Sequence, residues 1–289
     1  MAKSWIVRGS AVLALLLVFL GGASPSSAAT STSESSAGLS YFVSSSPNYA
    51  GYVQSGTNLN SVSAQWTVPN EPKAVSGQTT GVSTWIGIGG VHAVGAKVTS
   101  APLVQEGVSW TSVKGGAPVL KAFYEFVNAK DTCCLDITMP LRPTGTGPVV
   151  AAGDHVAGIL SSLSNTEYQF VFDVSKGTSL VSQWNEILTL PFAVPGQSAE
   201  AILERGKINN VQVGLAQTSP VTFTKAFVCC GTAGGSSPLG ANAAGLTLYR
   251  EFITNPTPKP TLSGPQTVAY PGVPTDDGFQ FVVTDGRAP

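Results

Sequence analysis

Apolar and polar residues alternate with period two along most of this chain. The runs include VSAQWTVP (Val62 to Pro69), VSTWIGIGG, LVQEGVSW, LKAFYEFV, EYQFVFDV, SAEAILER, VTFTKAFV, GLTLYREF and GFQFVVT, separated by clusters of Gly, Pro, Asn and Ser. Successive side chains of a strand point to opposite faces, so this alternation marks half-buried β-strands. No segment carries a long apolar repeat of 3.6 residues. The spacing of the runs predicts an all-β antiparallel sandwich or barrel. Nothing resembling a linker or an internal repeat divides the chain from Asn48 onward, which predicts one domain over residues 48–289.

The N-terminus breaks the pattern. Lys3 and Arg8 precede the apolar run Ala11 to Leu20, and Ser27-Ala28-Ala29 follows it as a small-residue cleavage site. Residues 1–29 therefore read as a secretory signal peptide. The apolar run is too short for a membrane span, which needs about 20 residues. The mature protein is expected to be secreted, extracellular and free of the membrane. The Ser/Thr-rich stretch at 30–47 reads as a flexible leader or short pro-segment.

Composition narrows the function classes. Charged residues are 11% of the chain and the net charge is −1, with Lys and Arg scattered, so no basic patch points to nucleic acid. The four cysteines form two vicinal pairs, Cys133-Cys134 and Cys229-Cys230. In an exported chain these are expected to be oxidised, with one or two bridges between the pairs. There is no CxxC, and His92 and His155 are not spaced as HxxxH, so neither a metal nor another cofactor is expected. Neither histidine lies beside a GxSxG nucleophile motif, and IGIGG is not a GxGxxG fingerprint.

Alternation sorts the candidate chemistry by face. In LVQEGVSW, Val104, Glu106, Val108 and Trp110 share the more apolar face, which predicts that they face the core. Leu103, Gln105, Gly107 and Ser109 then share the other face, where small residues flank the glutamine. In SAEAILERG, Ala199, Ala201 and Leu203 form the packing face, and Glu200, Ile202 and Glu204 the opposite one. Four residues separate those carboxylates by roughly 13 Å. Ile86 and Ile88 predict a core face that leaves Trp85, Gly87 and Gly89 outward, a tryptophan placed for stacking on a ligand. In AFYEFV, Phe123 and Glu125 share one face, Tyr124 and Phe126 the other. Exposed aromatics with intervening carboxylates suit a binding cleft, for sugar or for peptide.

Taken in order, these strands resemble the glutamic peptidase family, the eqolisins. Asn48-Tyr49-Ala50-Gly51 and Val62 to Pro69 stand where that family has Asn-Trp-Ala-Gly and V-S-A-x-[FW]-T-V-P. Trp85 to Gly90 is similar to W-[VI]-G-I-D-G, and Gln105 to Trp110 to Q-T-G-V-D-[FW]. Phe123 to Phe126 is similar to W-Y-E-W, Ala199 to Glu204 to A-E-W-I-V-E, and Thr222 to Ala226 to T-F-T-N-A. The resemblance implies a concanavalin-like, jelly-roll sandwich of two antiparallel sheets and a peptide hydrolase acting on polypeptides, as a monomer. It places the catalytic pair at Gln105 and Glu204, with Trp85, Tyr124, Glu125 and Glu200 lining the substrate cleft. It also implies an acid-acting endopeptidase that is insensitive to pepstatin. Two family aspartates are missing, replaced by Gly89 and Ser109, and Ala201 stands where the family has tryptophan. The aromatic face and the two missing aspartates motivate the rival reading, a non-catalytic sandwich that binds carbohydrate or peptide.

Overall fold

The computed structural model describes residues 32–36, 39–46, 48–94, 97–128, 134–143, 149–208, 211–229, 236–239, 247–255, 266–271 and 278–283. The predicted signal peptide lies outside them. All regular structure among the described residues is strand, as the β-branched and aromatic runs require.

The strands form two antiparallel layers. Across the first, the order is Cys134–Thr138, Val119–Val127, Lys97–Ser112, Thr80–Val94, Ser198–Glu204, Tyr49–Ser55 and Thr247–Asn255. Across the second it is Arg142–Pro143, Ser179–Thr189, Glu167–Lys176, His155–Ser162, Ser61–Thr67 and Val221–Cys229. Strands Gln266–Pro271 and Gly278–Val283 carry the ladder from the edge of one layer to the edge of the other. The predicted sandwich is therefore the observed one.

The space between the layers is filled from both sides. Ile86, Val104, Val108 and Phe126 of the first sheet meet Trp66, Leu160, Phe170, Phe172 and Phe223 of the second. Trp66 stacks on Phe223 with ring centroids 5.1 Å apart and meets Phe172 edge-on at 6.0 Å. Offset and edge-to-face pairs of this kind add to the burial of large rings.

The two sheets differ in how they meet their surroundings. Glu167–Lys176 in the second sheet alternates between buried and more exposed positions, as a half-buried strand should. Ser198–Glu204 in the first sheet is buried at every position. The first sheet has a second apolar cluster on its far face, comprising Val53, Trp85, Leu103, Phe123, Val127, Ile202 and Tyr249. Strands buried on both faces lose the simple inside–outside rhythm of exposure even where the sequence alternates.

The stretch read as a flexible leader or short pro-segment contains strand. Residues Thr32–Ser36 and Leu39–Ser46 are paired strands, and Leu39–Ser46 runs parallel to Thr247–Asn255 at the sheet edge. Phe42 stacks on Tyr249 at 5.4 Å, and so anchors the segment to the far-face cluster. A serine-rich composition hid that single aromatic anchor. Cys229 is disulfide-bonded. Cys133 and Cys230 lie outside the described residues, and the expected pairing of the two cysteine pairs falls with them.

Candidate active site

Strand register arranges the far face of the first sheet into three rows. One row reads Glu125, Gln105, Gly87, Glu200 across four neighbouring strands. The next reads Phe123, Gly107, Trp85, Ile202, and the third Lys121, Ser109, Ser83, Glu204, ending at Tyr49. Two polar rows thus flank an apolar one. The face predicted from alternation is confirmed: Val104, Val108, Ala199, Ala201 and Leu203 belong to the inter-sheet core, while Trp85, Leu103, Phe123 and Ile202 belong to the far-face cluster.

Gln105 is 1% exposed, and its Nε2 donates to Glu125 Oε2 at 2.5 Å. An ionised carboxylate can only accept, so this contact fixes the amide with nitrogen toward Glu125. Among the described residues, Oε1 of Gln105 meets no partner and the second hydrogen on Nε2 is uncommitted. Glu204 is held differently. The indole Nε1–H of Trp85 donates to Glu204 Oε2 at 2.8 Å. This is a charge-assisted bond whenever the carboxylate is ionised.

Trp85 reaches Glu204 because glycines leave its ring room. A Cβ on Gly87 would lie 2.9 Å from Trp85 Cζ3, and one on Gly107 would lie 2.3 Å from the Thr84 carbonyl oxygen and 2.5 Å from Trp85 Cβ. Tyr49 closes on the indole edge-on, with centroids 6.1 Å apart. The result corrects the expectation of an outward tryptophan stacking on ligand: Trp85 is 1% exposed. Its ring is packed, and its polar edge serves Glu204.

Glu200 shares the row of Gln105 rather than that of Glu204. Its Oε1 lies 2.4 Å from where a Cβ on Gly90 would stand. Gly89 and Gly90 both have positive φ, +91° and +86°, at a bulge between Gly89 and Val91. Ser198 Oγ pins the bulge, 2.5 Å from the carbonyl oxygen of Gly89 and 2.8 Å from that of Val91. The outward alternation of Trp85 and Gly87 therefore ends before Gly89. A Cβ there would meet the Pro102 carbonyl oxygen at 2.0 Å and Val194 of the inter-sheet core at 2.8 Å.

Tyr124 is not part of this face. It stacks on Trp184 of the opposite sheet at 4.7 Å and lies 5.6 Å from Phe170. The correction follows from period two, since a residue adjacent to Glu125 must point the other way. Lys121 and Ser83 join the face without having been singled out, beside Ser109, which alternation had placed there. Lys121 places its Nζ 5.9 Å from the Phe123 ring centroid, and Ser83 lies between Ser109 and Glu204 in their row. Ser109 is buried, and its hydroxyl has no partner among the described residues. Lys121 shares the parity of Glu125 on its strand and Ser83 that of Trp85 on its own, which is the signal that could have found them. Arg205, next to Glu204, is also buried, and desolvation lowers its pKa.

Comparisons with known proteins bear on the family and the fold. Residues 47–259 match the Peptidase A4 family. A crystal structure of scytalido-glutamic peptidase with a transition state analog inhibitor superposes with a TM-score of 0.56 at 18% identity, covering 82% of this chain and 98% of that one. SCP-B, a member of the eqolisin family of peptidases solved with the tripeptide Ala-Ile-His, gives 0.51 at 16% identity, with the same coverage. At these identities the likeness is one of fold. No curated protein matches the chain.

Proposed function

This chain belongs to the Peptidase A4 family, and from that premise we propose that it is a secreted, acid-acting glutamic endopeptidase whose working pair is Glu204 and Gln105. The observation that carries the reading is the shared face on which Glu125 orients the Gln105 amide and Trp85 holds the Glu204 carboxylate.

The register supports a bridge across this face. Gln105 and Glu204 stand two strands apart and four residues offset. Strand spacing of about 4.8 Å and a rise of about 3.3 Å put their backbones roughly 16 Å apart. Each side chain reaches about 5 Å, so tips leaning together would stand roughly 6 Å apart, about two hydrogen-bond lengths. In the present arrangement the Gln105 amide turns to Glu125, on the side away from Glu204, so the proposed reaction requires it to swing toward the pair.

In the proposed reaction, ionised Glu204 takes a proton from a water as the water oxygen bonds to the carbonyl carbon. The carbonyl oxygen becomes an oxyanion and receives the uncommitted N–H of Gln105. Collapse breaks the C–N bond, and Glu204 returns the proton to the leaving amine. A neutral amide suits the donor role because it never competes for the proton. Comparable oxyanion donors are worth about 3–4 kcal/mol. The reading includes polypeptide substrates, release of residues 1–29, a monomer, and insensitivity to pepstatin.

The absence of aspartates at Gly89 and Ser109, together with the burial of this face, favours a non-catalytic binding protein as the second reading. The test is cleavage of a denatured protein between about pH 2 and about pH 8 with pepstatin present. Wild type should cleave on the acid side, and folded Glu204→Gln and Gln105→Ala should not. Full activity in folded Glu204→Gln would sink the assignment. A folded, processed wild type that cleaves nothing at any pH, yet binds a glycan or peptide, would establish the second reading.

A further inference from the structure

The residue after Gln105 faces the opposite way. Glu106 is 0% exposed and lies in the space between the sheets. On its own sheet it stands opposite Tyr124 on one side and Ile86 on the other. Across the sandwich its carboxyl reaches toward Gly158: a Cβ there would lie 3.0 Å from Glu106 Oε1, 3.1 Å from Ile86 Cδ1 and 3.5 Å from Trp66 Cη2. A missing side chain in the second sheet makes the room. Among the described residues neither carboxyl oxygen reaches a well-formed hydrogen bond, and the backbone at Ile159 offers partial compensation. The titratable neighbours are Tyr124 and, on the second sheet, Asp173, which adds repulsion to any charge on Glu106. Tyr124 is itself held neutral by desolvation.

We propose that Glu106 is a pH sensor built into the strand that carries Gln105: its carboxyl holds the sandwich in working form while protonated, and its ionisation as the medium is neutralised loosens that strand and ends activity. Burial raises the Glu106 pKa well above the ordinary value, with the Asp173 charge adding to it and the Ile159 backbone opposing it. The sign of the linkage follows. Below the ordinary carboxylate value both folded and unfolded chains hold the proton, and stability is complete. Above it the unfolded chain ionises while the folded one does not, so stability falls as pH rises toward the folded-state value. Each pH unit in that window lowers the folding constant up to tenfold. Glu106 is not on the catalytic face, so this device is independent of how peptide bonds are cut; only its activity readout rests on the peptidase reading.

The experiment compares urea denaturation of the full chain at intervals from about pH 3 to about pH 7 for wild type and Glu106→Gln, which is neutral throughout. The wild-type folding constant should fall up to tenfold more per pH unit than that of Glu106→Gln. Acid-side activity should be equal in the two, with the neutral limb of the variant displaced to higher pH. Parallel stability curves would overturn the proposal, even in a protein that cleaves peptide bonds. Diverging stability curves in a protein with no activity would uphold the sensor and count against the peptidase reading. If Glu106→Gln does not fold, Glu106→Met serves in its place. Should neither fold, a carboxyl 13C titration of wild type labelled at glutamate decides: one glutamate carboxyl should keep an extra proton above the ordinary carboxylate range. No extra proton would overturn the proposal.

Discussion

Replacing Trp85 with phenylalanine tests whether the indole positions Glu204 or merely fills space. The indole N–H lies 2.8 Å from Glu204 Oε2, and both residues are buried. A hydrogen bond to an ionised group contributes roughly 1.5–3 kcal/mol, about twice a neutral one. Phenylalanine removes this donor and part of the ring, so the single substitution mixes a polar and a packing loss, the latter costing about 1–2 kcal/mol. A double-mutant cycle with Glu204→Gln separates them, since the packing loss appears on both sides. Measured by urea denaturation near pH 6, at one pH so that the titration of Glu106 cancels, the coupling should be about 1–2 kcal/mol. Trp85→Phe should also lower kcat with little change in KM, because the carboxylate loses its fixed position. Gly87→Ala should act in the same direction, its Cβ pushing on Trp85 Cζ3 from 2.9 Å. A coupling below about 0.5 kcal/mol, within the usual error of additivity, would refute the positioning role.

Two further substitutions test local geometry. Gly89→Asp, which restores a family aspartate, should destabilise by at least about 2 kcal/mol in thermal or urea unfolding, because φ is +91° and the Cβ meets the Pro102 carbonyl oxygen; unchanged stability would show that the bulge relaxes freely. Lys225 has φ +47° at the irregularity between Thr224 and Phe227, where the family pattern has asparagine. Lys225→Asn should gain about 1 kcal/mol, read as a higher urea midpoint with an unchanged slope.

Much of the site was legible because a strand has period two. Val104 and Val108 oriented Gln105, and Ala199, Ala201 and Leu203 oriented Glu204, without knowledge of any neighbour. Alternation does not report what covers a face. The far face of the first sheet carries its own cluster, so Trp85 is packed where sequence suggested exposure. Ala201, which looked like lost packing, is fully buried in the inter-sheet core. Nor does a single residue type reveal a bulge: Gly89 read as one more outward position until its positive φ turned it toward Val194. Likewise, the partner of Gln105 was set by strand order, which placed Val119–Val127 beside Lys97–Ser112 and so put Glu125 directly opposite.

Two glutamates on opposite faces of the first sheet make contrary demands on protonation. In the proposed reaction Gln105 is neutral at every pH and Glu204 must be ionised to accept a proton from water, whereas Glu106 is accommodated between the sheets in its neutral form. On that proposal two carboxyls in one sandwich must be in opposite states. The sequence makes this feasible by placing them on opposite faces. Glu204 has an indole donor to favour its charge, while Glu106 meets Gly158, Ile86 and a repelling Asp173, which favour its proton. The two proposals together assign the acid limit of activity to the face and the neutral limit to the core. Changes at Trp85 should move the first without the second, and changes at Glu106 the second without the first.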